Sequence, residues 1–239
     1  MVDLHVDGNI ARMFGPRDAE KYFARLLQIN PSSIQTTGNP HWPFAFFIFH
    51  PPASQTQVHH TIVQGRPAWL LDYVIRHDGT VVQQRIWAPQ NEALRHAHVS
   101  LNLPIFFVHN DRVTRGLPIV SAAAREPTTL LDSGKPAQVG DCSTTFIRIN
   151  WPGYGEWSSQ IMTRDQTPAH NTITAEKFAK RVASAVCRFM DEQSRVHGGD
   201  PRWRIGPSGI TKDHVILIGI VHVSQGSWQP ILQLNRYVI

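Results

Sequence analysis

Cys142 follows Asp141 in a turn after Gly140, with Asp165 and His170 downstream, so the residue types of a thiol, an imidazole and a carboxylate for nucleophilic catalysis lie in one stretch. No signature of a known catalytic family surrounds Cys142 or any serine. With thirteen histidines in the chain, one falls near a cysteine by chance. The histidines also raise metal binding: His96 and His98 would share a face on a strand, and His109 or the pair His59 and His60 would complete a site. Asn91 and the run EALRHAH read instead as a capped short helix, on which residues two apart diverge. No metal site and no cofactor is therefore expected, and catalytic residues remain unassigned. Nucleotide-binding loops are missing too: there is no G-x-G-x-x-G after a strand and no G-x-x-x-x-G-K-[ST]. Gly206-Pro207-Ser208-Gly209 precedes a strand rather than a helix, so a turn suffices to explain it.

Charge offers the more definite pattern. From Lys177 to Lys212 eight basic residues stand against three acids, and this excess of five is the whole of the chain's formal +5. Lys177, Arg181, Arg188 and Arg195 are spaced by four, seven and seven, which places them on one slowly drifting outward stripe of a helix. Arg202-Trp203-Arg204 follows, an indole between two guanidinium groups able to stack a base while the cations hold phosphate. Lys177, Arg181, Arg188, Arg195, Arg202, Trp203 and Arg204 are thus the candidate polyanion-binding residues, and nucleic acid, another polyanion or an acidic protein the candidate partner. The plain alternative is a solvated helix face, with Trp203 in the core and its two arginines alternating outward from an edge strand.

The element that must position these groups is a helix over about 174–196. Thr174 caps it, Glu176 complements its dipole, and Phe178, Ala179, Val182, Ala183, Val186, Phe189 and Met190 recur at the spacing of one buried stripe, ending before Gly198-Gly199. His214 to Val223 is apolar on both faces and reads as the strand beneath it, joined through Ser224 to Ser227 to a second arm from Trp228 to Ile239. A shorter helix over about 16–30 opens at Gly15-Pro16, and FAFFIFH from Phe44 to His50 reads as a buried strand. WLLDYVIR and TVVQQRIW, with His77-Asp78-Gly79 between them, form the expected antiparallel hairpin of the first half. The run PIVSAAA gives a strand signal, TTFIRIN from Thr144 to Asn150 reads as another strand, and WPGYGEW from Trp151 to Trp157 reads as a rigid aromatic corner. Without regular strand and helix alternation or a linker, the expectation is one α+β domain over 1–239, a largely antiparallel sheet carrying both helices.

The segment from Ile147 to Met190, with its apolar strand, WPGY, second Trp and threonine-capped helix bearing Phe178, Ala179, Val182, Ala183 and Phe189, resembles uncharacterised fungal proteins. The resemblance covers under a quarter of the chain and implies no activity. Composition excludes a disordered or fibrous chain, with 41% hydrophobic and 17% charged residues. Two cysteines, no signal-like apolar run at the N-terminus and no stretch of about 20 apolar residues point to a soluble intracellular protein, cytoplasmic or nuclear, without membrane contact. The reading is a non-enzymatic intracellular binding protein using a basic helix face. Its alternative is a small enzyme, metal-dependent or not, whose pocket is lined by histidines and the aromatics of Trp151 to Trp157.

Overall fold

The computed structural model describes residues 2–5, 8–37, 44–49, 60–63, 65–73, 79–89, 100–112, 114–124, 126–196 and 199–235. Over these the chain is α+β, with mostly antiparallel strand pairs and one long helix, and it divides into two units, 1–77 and 78–239. Among the described residues no helix is long and apolar enough to cross a membrane.

In the first unit, α1 (Asn9–Phe14) and α2 (Pro16–Leu27) accompany a five-stranded sheet built from β1 (Val2–His5), β2 (Ile34–Thr37), β3 (Phe44–Ile48), β4 (His60–Val63) and β5 (Arg66–Tyr73), in the order β2-β1-β3-β5-β4. Pro16 starts α2 as expected, and Ala19, Tyr22, Phe23 and Leu26 are buried, with Phe23 stacked on Phe46 at 4.1 Å. The helix stops three residues before the expected Asn30, because Gln28 adopts the left-handed conformation at φ 56° and turns its N–H back onto the last carbonyls. Asn30 instead caps the turn Pro31–Ser33, accepting from the Ser32 N–H at 3.0 Å. The short α1 is held by Asp72, a fully buried carboxylate on β5 that accepts from the N–H groups of Ile10 at 3.1 Å and Ala11 at 3.3 Å.

The expected hairpin of WLLDYVIR with TVVQQRIW does not form. β5 pairs with β3 and β4, whereas Val81 bridges Gln233 in the second unit. The first arm thus has two neighbours already, and the second finds its hydrogen bonds far along the chain; the expected turn at His77 and Asp78 lies outside the described residues. The same is true of the EALRHAH helix and of Arg236 to Ile239.

The second unit carries β6 (Ile105–Phe106), β7 (Leu117–Pro118), α3 (Ile119–Ala123), β8 (Thr144–Ile149), β9 (Trp157–Met162), α4 (Ala175–Gln193), β10 (Val215–Ser224) and β11 (Ser227–Leu234). PIVSAAA is therefore a helix and not a strand beyond Pro118: its alanines permit helix, and Ile119 and Ala122, three apart, are the two that become buried. The sheet order is β6-β10-β11-β8-β9, with β7 also paired to β10. β10 and β11 form the anticipated hairpin around Gln225-Gly226, where Gly226 supplies φ 68°. Thr174 caps α4 through the Lys177 N–H, and the helix ends at Gln193, where the Ser194 hydroxyl takes the Asp191 carbonyl. Its stripe of Phe178, Val182, Val186 and Phe189, all fully buried, joins one core with Ile147, Ile149, Leu217, Ile220, Trp228 and Leu232 of the sheet. At about 1.5–3 kcal/mol for each large apolar side chain removed from water, this packing dominates the unit's stability. WPGYGEW closes against it: Trp151 is buried and donates to the Trp203 carbonyl at 2.8 Å, and the Tyr154 hydroxyl accepts from the Ile205 N–H at 2.8 Å.

Candidate functional site: an arginine-flanked strand edge

β8 and β9 pair antiparallel with Thr144 opposite Met162 and Ile149 opposite Trp157. Thr163 donates to the Ser143 carbonyl, so the hydrogen-bonded positions of β9 are the odd-numbered ones, Trp157, Ser159 and Ile161. Ser158, Gln160 and Met162 therefore turn their backbone groups away from β8, and β9 is the last strand of its sheet. All three are exposed. The outward direction is visible at Met162, whose carbonyl accepts from the Arg181 guanidinium.

Helix α4 borders this edge with part of its polar side. Arg181 lies half-buried on Met162, and seven residues on, Arg188 donates to the Ser159 hydroxyl at 2.6 Å with its guanidinium 5.9 Å from the Trp157 ring. The acids of α4 are engaged elsewhere. Glu176 pairs with Lys180 at 2.9 Å, which together with the Thr128 hydroxyl holds its carboxyl below the usual range; Asp191 pairs with Lys212 at 2.8 Å; Glu192 accepts the Trp157 indole N–H at 2.6 Å. Neither Arg181 nor Arg188 makes an ion pair among the described residues.

The outer face of the same strands holds an arginine that is not among the expected site residues. Arg148 is sandwiched between Trp87 at 4.3 Å and Phe146 at 4.8 Å, with its Nε 3.4 Å from the Ser227 hydroxyl. Partial burial lowers its pKa, and Glu156 acts in the opposite direction. On the same face Phe146 and Met162 remain about two-fifths exposed, at 39% and 42%. Phe146 and Arg148 two apart in TTFIRIN are the only local signal, since Trp87 arrives from a distant segment.

Of the seven candidate residues, only Arg181 and Arg188 are brought onto β9. Lys177, Arg195 and Arg204 are exposed. Arg202 is paired to Asp200 at 3.0 Å, and each raises the charged fraction of the other. Trp203 packs edge-on against Trp151 at 6.0 Å in the Pro201–Trp203 turn, so its ring serves the core.

Members of the other residue sets are engaged elsewhere, exposed, or outside the described residues. His109 uses both ring nitrogens, on the Thr129 hydroxyl at 2.6 Å and the Gly116 carbonyl at 2.8 Å, while His59, His96 and His98 lie outside the described residues. Among the described residues no three His, Cys, Asp or Glu side chains cluster to hold a metal. Cys142 is exposed, and Asp165 turns its carboxylate to Thr167 and Asn171, bonds that lower its pKa. Cys187 lies part-buried in α4, where burial pushes its thiol up to about 11. Gly206 to Gly209 is a turn, with Gly209 donating to the Gly206 carbonyl at 3.0 Å. No protein-family model, no curated protein and no solved structure matches this chain.

Proposed function

We propose that this chain is a non-enzymatic binding protein that presents the arginine side of α4 and β9 to an acidic segment of another protein, in a reducing compartment of the cell. The observation that carries this reading is the pair Arg181 and Arg188: each is positioned by a hydrogen bond to β9, each retains donors from a five-N–H fork, and the acids beside them are committed to Lys180, Lys212 and Trp157. Positioned guanidinium groups lose less freedom on binding a carboxylate than flexible ones do. A protein partner is preferred to nucleic acid because the base-stacking arrangement is spent, with Trp203 against Trp151 and Arg202 on Asp200. The binding reading is preferred to an enzyme because Asp165 turns to its own loop and His109 has both nitrogens engaged. The unpaired cysteines support the compartment.

The test uses fluorescein-labelled oligoglutamate and a single-stranded DNA of equal charge, titrated at rising salt. Oligoglutamate should bind at low salt and weaken as salt rises, and Arg181→Glu with Arg188→Glu should reduce its affinity by about tenfold or more while the chain stays folded, a larger loss than Lys177→Glu with Arg195→Glu gives. Because Arg181 and Arg188 also hold β9, circular dichroism of the variant checks that the sheet is retained. Tighter binding of DNA, or oligoglutamate binding that ignores the charge reversals, would overturn the proposal.

A further inference from the structure

We infer that β9 is a docking edge that takes an extended acidic segment of another protein as an additional strand of the sheet. This rests on the acidic-partner reading and adds to it the conformation of the partner and the strand that receives it. The register of β8 and β9 leaves the N–H groups of Ser158, Gln160 and Met162 and the carbonyl of Ser158 pointing outward at the end of the sheet. The Gln160 carbonyl has one long contact, 3.5 Å from the Ser159 hydroxyl. A backbone of this kind templates another strand, and chains that must avoid such pairing protect their edges with prolines, bulges or inward charges. Over 157–162 there is no proline and no register shift, and among the described residues the outward backbone groups are met by Arg181 on the terminal carbonyl of Met162 and by that long Ser159 contact alone.

Charge selects the occupant. Side chains of an added strand alternate between the two faces of the sheet. On the helix side they meet Arg181 and Arg188; on the outer side they meet Ser158, Gln160 and the exposed Met162. The matching segment alternates acidic residues with small or apolar ones. A second copy of β9 is disfavoured, because it would bring a second pair of arginines to the same edge.

The probe is a nine-residue peptide alternating glutamate with threonine or valine, blocked at both ends, together with the same peptide N-methylated at alternate residues on the bonding side. The protein variant is Gln160→Pro, which removes an outward N–H and no backbone bond of the β8 and β9 ladder, with Gln160→Ala as the control for the lost bond from its side chain to the Thr144 hydroxyl. Strand addition requires the unmodified peptide to bind, N-methylation and Gln160→Pro each to weaken it by about tenfold or more, and exchange of the Ser158, Gln160 and Met162 amides to slow in the complex. Should Gln160→Pro fail to fold, the methylated peptide and amide exchange decide on the wild-type chain alone. Binding unaffected by methylation but weakened by Lys177→Glu with Arg195→Glu would overturn strand addition and leave the acidic-partner reading standing. No binding of the peptide at low salt would overturn both, and dimerisation of the chain through β9 without peptide would overturn the choice of occupant.

Discussion

Replacing Gln84 with alanine should destabilise the second unit by about 3 kcal/mol, through a buried amide that stands in for missing strand pairing. β8 and β11 pair in parallel only at Phe146 and Ile147 with Ser227 and Trp228. Farther along, residues 80–87 bond to β11, with Val82 donating to the Leu232 carbonyl and Leu234 donating to the Thr80 carbonyl, both at 2.8 Å. Gln84, 5% exposed, spans from β11 to the end of β8, donating to the Pro230 carbonyl at 2.8 Å and accepting from the Asn150 N–H at 3.1 Å. Alanine removes two hydrogen bonds worth about 0.5–1.5 kcal/mol each and leaves two backbone groups without partners, at about 1–3 kcal/mol each, terms that overlap and do not add fully. Gln84→Glu separates the two roles: it keeps an acceptor for Asn150 but sets an anion against the Pro230 carbonyl, so it should be worse than alanine at neutral pH and recover in acid as the carboxyl protonates. Urea titration followed by tryptophan fluorescence gives the midpoint, and the slope should not change. Amide exchange at Val82 and Leu234 reports the local opening. An alanine variant within about 0.5 kcal/mol of wild type, or a glutamate variant more stable than alanine at neutral pH, would mean that the Gln84 amide does not bridge β8 and β11.

Val186 is fully buried between α4 and the sheet, so Val186→Asp places an unpaired charge in the core at a cost of several kcal/mol; soluble protein with a cooperative, wild-type-like melt would contradict that packing. Arg181→Glu with Arg188→Glu should lower the melting temperature by a few degrees, a larger effect than exposed charges produce, because both side chains are bonded to β9; an unchanged melt would mean those bonds contribute nothing. In the first unit, burial outweighs the backbone donors at Asp72 and raises its carboxyl from 3.8 to about 7. A carboxyl raised on folding favours the folded state fully below the unfolded pKa and loses that contribution as pH climbs through the folded one, so the first unit should weaken between about pH 4 and pH 7. At about 1.4 kcal/mol per pKa unit the group contributes up to about 4 kcal/mol. Exchange of the Ile10 and Ala11 amides across that window measures it, and a slope identical in Asp72→Asn would assign it to other groups.

Local chemistry was enough to determine α4, the β10 and β11 hairpin, β3, β8 and the start of α2. A threonine cap with a following glutamate, seven apolar residues at helical spacing, an apolar run of strand length and a Gly at a two-residue turn each act within a few residues, so no distant neighbour is needed to read them. The basic stripe was legible to the same extent, because the positions of Lys177, Arg181 and Arg188 on the helix follow from its period. What each arginine does was not. Arg181 and Arg188 meet β9 because the sheet order places that strand at the edge beside α4, and Arg148 is gripped by Trp87 because Gln84 and Gln229 pin residues 80–87 against β11. The same long-range competition dissolved the expected hairpin: TVVQQRIW satisfies its backbone with residues about 150 positions away, at Leu232 and Gln229. Strand pairing and the availability of a charge are set by whichever groups the tertiary fold brings within about 3 Å, and separation along the chain carries no trace of that distance.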